Sequence, residues 1–176
     1  MAERGTLLVL GSNPPAQTSG QRTLSRVQQA VSILGFERAI LANLFALPTY
    51  RSGGISDLGR TPEGWLDARP PLLSALDQCD GVLLAYGTQE PSGDARVHHR
   101  DQVRWLYEQV EDRGLPCWWV GGAPRHPSRW QRYTWREWPG EEFGTALEQS
   151  LSRRSVPDSS ACPTQCPRTS PAQFRR

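Results

Sequence analysis

The chain contains no lysine: all 20 of its basic residues are arginine. That absence excludes Schiff-base chemistry on a lysine amine and the lysine of a Walker-type phosphate loop. It is also the usage of a GC-rich bacterial genome. Methionine is confined to Met1, and histidine to His98, His99 and His126. Of four cysteines, Cys79 and Cys117 lie in apolar patterns and read as reduced core thiols. Cys162 and Cys166 lie in a Pro- and Ser-rich tail with no second pair, so no metal-ligand spacing stands out. Long apolar runs are missing too. The first, Thr6 to Leu10, is too short for a signal-peptide core or a membrane span. The expectation is a soluble, cytoplasmic protein with no membrane partner, no metal and no cofactor. Charge of one sign is not in excess either: 20 basic against 18 acidic residues give +2, which does not announce a nucleic-acid binder.

What is present is alternation. Thr6 to Leu10 is a continuous apolar run, the pattern of a strand buried on both faces, and it stops at Gly11-Ser12-Asn13-Pro14-Pro15. Leu24, Val27, Val31 and Leu34 make one stripe of a helix over 21–34, ended by Gly35. A second strand reads from Ala39 to Phe45, interrupted by Asn43. Residues 48–62 read as a long loop without regular structure. A helix follows from Pro70 to Cys79, then a third strand over Val82–Tyr86. A long helix covers 94–113, with Val97, Val103, Leu106, Tyr107 and Val110 as its inward face. The fourth strand is Cys117–Val120, and a last helix covers 141–153. These elements predict one α/β domain over residues 1–153, three-layered, with a mainly parallel four-stranded sheet and helices on both faces. Residues 154–176 read as a disordered tail.

Ligands of such sheets bind outside the carboxyl ends of the strands. The residues standing there are Gly11 and Asn13 after the first strand, Asn43 and Phe45 on the second, Tyr86 on the third, and His126 after the fourth. The turn at Asn13 holds an amide and free backbone N–H groups, suited to a water or an anion, or to a plain Asx turn. A primary amide inside an apolar run, as at Asn43, needs partners, and an amide pairs with a nucleobase edge through donor and acceptor together. His126 is suited to hydrogen-bond a developing oxyanion or to act as acid or base. The run Arg125-His126-Pro127-Ser128-Arg129-Trp130 reads as a loop of arginine and aromatics suited to phosphate contact and stacking, or to packing. His98 and His99 lie on a solvated stretch and read as bystanders.

The ordered series GSNPP, ILANLFALPT, VLLAYGTQ and VGGAPRHPS resembles a bacterial and phage family, the domain-of-unknown-function family sixteen-forty-three. The resemblance spans about residues 6–137, with Pro15 where the family usually has Ser. More distantly, the series is similar to the uracil-DNA glycosylase superfamily. That resemblance implies a uracil-DNA-glycosylase-like fold and a monofunctional N-glycosidase, with Asn13 orienting water, Asn43 reading the base and His126 donating to the departing base. Phe45 would stack on the base; by their place at strand ends and in the arginine-aromatic loop, Gly11, Tyr86, Arg125, Ser128, Arg129 and Trp130 are the further candidate substrate contacts. The implied partner is a nucleobase-containing small molecule or a nucleic acid. The alternative is a non-catalytic nucleotide or nucleic-acid binding module using the same cleft.

Overall fold

A computed structural model describes residues 4–15, 20–49 and 54–154. Strand β1 runs over Arg4–Gly11 and is an interior strand of the sheet. Leu7, Leu8 and Leu10 are fully buried, which is the continuous-run pattern of a strand covered on both faces. Helix α1 (Gln21–Ile33) returns the chain to β2 (Phe36–Asn43), which pairs parallel with β1. Three short helices follow: α2 (Gly54–Leu58), α3 (Glu63–Leu66) and α4 (Arg69–Leu76). Strand β3 (Gly81–Leu84) joins the other edge of β1 in parallel. Helix α5 (Asp94–Asp112) leads to β4 (Cys117–Val120), parallel to β3. Helices α6 (Pro127–Glu137) and α7 (Phe143–Ser150) then lead to β5 (Leu151–Arg153), which pairs antiparallel with β4.

The strand order is β2-β1-β3-β4-β5, so the chain is α/β with a five-stranded, mostly parallel sheet. One core cluster, with Leu7, Val9, Val27, Val31, Trp130 and Leu147, lies between the sheet and α1, α6 and α7. The other, with Leu8, Leu10, Trp65, Leu72, Leu76 and Leu106, lies under α2–α5. No described helix is long and apolar enough to cross a membrane. The thiols of Cys79 and Cys117 are buried and free, and burial pushes that of Cys117 up to about 11.

Several expectations need correcting. The sheet has five strands rather than four, because the last helix stops at Ser150 and Leu151–Arg153 pairs with Trp118 and Trp119. Three residues carry too little alternation to signal a strand. Strand β2 begins at Phe36 and ends at Asn43, two residues before Phe45. The stretch 48–62 holds α2 instead of being a bare loop. Val97 is 60% exposed, and the inward face of α5 is built on Ala95, Gln102, Leu106 and Val110. The arginine-aromatic stretch is the helix α6 and not a loop. Pro127 stands at its first position, where its missing N–H costs nothing. Of the tail, Arg154 alone is described; residues 155–176, with Cys162 and Cys166, lie outside the described residues.

Trp130 and Trp135, one turn and a half apart on α6, have opposite environments. Trp130 is fully buried and its indole N–H donates to the Arg125 carbonyl at 2.6 Å, whereas Trp135 is 74% exposed. Trp130→Ala is expected to destabilise the fold by about 3–5 kcal/mol through the cavity it leaves. Trp135→Ala is expected to change stability by less than about 0.5 kcal/mol. Urea denaturation of both variants checks this, and equal losses would contradict the packing described.

Candidate functional site

The topology selects one place on the sheet. β1 sends its connection to β2 on one side, while β3 sends its connection to β4 on the other. The carboxyl ends of β1 and β3 therefore diverge, leaving the crevice at which open α/β sheets bind ligands. Around it stand the turn after β1, the end of β2, Tyr86-Gly87 after β3, and the segment from Gly121 to His126 after β4.

Asn43 is the last residue of β2 and lies in register with Gly11. A side-chain carbon on Gly11 would fall 2.5 Å from the Asn43 Oδ1, so the absence of one is what makes room for the amide. Asn43 is half-buried, and its amide has no hydrogen-bond partner among the described residues. Asn13 is differently placed. Its Nδ2 donates to Thr49 Oγ1 at 2.8 Å and to the Pro14 carbonyl at 3.1 Å, tying the turn after β1 to the segment after β2. Among the described residues its Oδ1 accepts no hydrogen bond, leaving that oxygen for a water or ligand donor.

His126 is the N-cap of α6. Gly121 and Gly122, with φ of 63° and 71°, turn the chain away from β4 through a left-handed conformation that disfavours side chains. The Tyr133 ring occupies the space a Gly121 side chain would need. The Gly87 N–H then donates to the Pro124 carbonyl, and Arg26 of α1 donates to the Pro127 carbonyl at 3.0 Å. The start of α6 is thereby held between the end of β3 and the first turns of α1.

Within that frame the His126 Nδ1 accepts from the Ser128 backbone N–H at 3.2 Å and lies 2.8 Å from Ser128 Oγ. A ring nitrogen that accepts carries no proton, so the neutral ring is protonated on Nε2. Burial, and then the positive charge of Arg129, lower the His126 pKa below its ordinary value. Both effects favour the neutral imidazole, in which Nε2 is left as the donor.

The other predicted site residues divide. Ser128 and Arg129 are exposed at the start of α6, Ser128 serving His126. Phe45 is fully buried against Trp65, ring centroids 4.7 Å apart, and so is packed in the core rather than presented for stacking. Trp130 is likewise a core residue. Tyr86 is half-buried and its hydroxyl pairs with that of Tyr107 at 2.6 Å; burial raises its pKa. Arg125 folds back over the Tyr133 ring at 4.2 Å, with its Nε buried and unpartnered among the described residues.

His99 is the residue that sequence reasoning missed. It packs edge-on to Trp65 and Tyr86, at 5.8 and 6.3 Å, and burial lowers its pKa. Its Nδ1 is buried without a partner among the described residues. The signal was its place one turn before Gln102 and two before Leu106, on the buried stripe of α5. Gln102 itself is fully buried and donates to the carbonyls of Leu44 and Trp65 while accepting from Arg69, fixing the segment after β2.

Asn13, Asn43 and His126 thus border one edge of the sheet without hydrogen-bonding to one another. Two open clefts, about 740 and 490 Å³, lie among α1, α6 and α7, and none of Asn13, Asn43 and His126 lines either. No family model matches the chain, and neither a curated protein nor a solved structure matches it.

The lowered pKa fixes a sign. The stability contributed by neutral His126 is complete above the unfolded value of about 6.5 and is lost as pH falls through the lower folded value. ¹⁵N NMR is expected to show His126 protonated on Nε2 and titrating below about pH 6.5. A titration at or above that value, or a proton on Nδ1, would contradict the geometry.

Proposed function

We propose that the chain is an N-glycosidase-like hydrolase acting on a nucleobase carried by a nucleotide or a nucleic acid. The observation that carries this reading is the His126 imidazole, its Nδ1 accepting from the Ser128 N–H, following β4 on the carboxyl side of the sheet where β2 ends in an Asn43 amide with no hydrogen-bond partner among the described residues. The motif resemblance to family sixteen-forty-three and to the uracil-DNA glycosylase superfamily belongs to this proposal.

The chemistry follows from the groups. In N-glycoside hydrolysis the C1′–N bond breaks and its electron pair leaves with the base; water adds to C1′ as hydroxyl, and the proton it gives up neutralises the departing base anion. Charge develops on the departing base and on an oxocarbenium-like sugar. A neutral imidazole N–H stabilises the base oxygen by hydrogen bonding. Asn43 supplies a donor and an acceptor to the base edge, and the Asn13 Oδ1, which accepts no hydrogen bond among the described residues, orients the water.

A second reading, binding without turnover, draws on two observations. The Asn13 amide nitrogen is tied to Thr49, as in a purely structural turn, and Phe45 is closed in the core.

Free-base release measured by mass spectrometry across nucleosides, nucleotides and base-modified DNA and RNA separates the two. Turnover by the native chain is expected to fall about 100-fold or more in His126→Ala, with circular dichroism unchanged. Binding that Asn43→Ala abolishes, with no base released from any substrate, would establish the second reading and reject catalysis.

A further inference from the structure

We infer that the cleft between α1, α6 and the start of α7 binds a phosphate ester of the ligand whose base the carboxyl edge takes. The inference rests on the proposed function for the identity of that ligand, and on a separate set of residues for the site.

In a chain without lysine, every cationic contact falls to arginine. Arg60, Arg96, Arg100, Arg104, Arg113 and Arg136 each have a carboxylate partner. Arg22, Arg26, Arg129 and Arg132, on α1 and the first turns of α6, have no carboxylate partner among the described residues, and neither do Arg38, Arg69, Arg125, Arg153 and Arg154 elsewhere. Two of them, Arg22 and Arg26, stand one turn apart on α1 and wall a cleft of about 490 Å³ with Ser25, Gln29, Gln131 and Phe143. No described wall residue of that cleft carries negative charge. The neighbouring cleft of about 740 Å³ is lined by Glu142 and Glu148 and so repels an anion, which confines the anion to the Arg22 end.

The Arg26 guanidinium is already oriented. It donates to the Pro127 carbonyl at 3.0 Å and to Gln131 Oε1 at 2.6 Å, and lies over the Phe143 ring at 5.8 Å. Arg22, exposed and without a partner among the described residues, is the guanidinium left to meet the ligand. Guanidinium with amide and hydroxyl donors is phosphate-binding chemistry. Pro127 links the cleft to the edge site, because it is the residue next to His126. A base held at His126 thus has its anionic group within reach of the arginine cleft, whether a 5′-monophosphate or a phosphodiester.

The test is isothermal titration of the full chain with inorganic phosphate, the four common nucleosides, their 5′-monophosphates and a short single-stranded oligonucleotide. A monophosphate is expected to bind at least about tenfold tighter than its nucleoside, and inorganic phosphate to compete with it. Arg22→Gln is expected to abolish that difference, leaving nucleoside affinity and the folded state unchanged. The salt dependence distinguishes the sources: a slope magnitude below about 1 for one phosphate, and about 0.7 per contacted phosphate for an oligonucleotide. Equal affinity for nucleoside and monophosphate, or phosphate binding untouched by Arg22→Gln, would overturn the site and leave the base reading standing. Phosphate binding that depends on Arg22 but is indifferent to the base would uphold the cleft and overturn the base reading.

Discussion

The structure depends on burying β1 from both faces and both edges at once. Leu7, Leu8, Val9 and Leu10 leave no side of that strand for water, so helices must cover both faces and β2 and β3 must flank it. A central strand flanked by connections that run opposite ways creates the divergence at its carboxyl end. The turn from Gly11 to Pro14 emerges there. The candidate site is thus a consequence of how the core is closed.

Polar groups then fix the edge in detail. Gln102, buried on α5, satisfies the carbonyls of Leu44 and Trp65 and so sets where the chain goes after Asn43. Asn13 bridges to Thr49, and Gly11 makes room for the Asn43 amide. On the other side, Pro124 and Arg26 hold the start of α6, and Ser128 dictates which nitrogen of His126 carries the proton. Amides are costly when buried unpaired, which is why those of Gln102 and Asn13 each bridge separate segments. The same helix α6 hides Trp130 and turns Arg129, Arg132 and Arg136 outward, so its inner face completes the core while its start lies beside the end of β3.

Much of the layer architecture was legible in the residues. Apolar runs separated by amphipathic helices specify an α/β sheet, and α1 and β4 lie within a residue of where periodicity puts them. What escaped was context. Pro127 is read as a breaker in isolation, yet after a histidine cap it starts a helix. Leu151-Ser152-Arg153 is too short to show a period, and its pairing with Trp118 and Trp119 depends on chain brought from more than 30 residues away. Phe45 and Trp130 sit in suggestive company, but burial is a tertiary property and both belong to the core. His99 looked solvated beside His98, and only the phase of α5 turns it toward Trp65 and Tyr86. Asn43 was legible as the polar end of β2 because the apolar run stops there, whereas His126 comes six residues after β4, as the cap of α6.

The central claim is that Asn43 and His126 face one ligand. Heteronuclear NMR of the Asn43 side-chain amide and the His126 Nε2–H, during titration with a nucleotide, tests it most directly. The account predicts that both resonances shift along one binding curve with a single affinity. A shift of either one alone, or shifts at distinct ligand concentrations, would contradict a shared site.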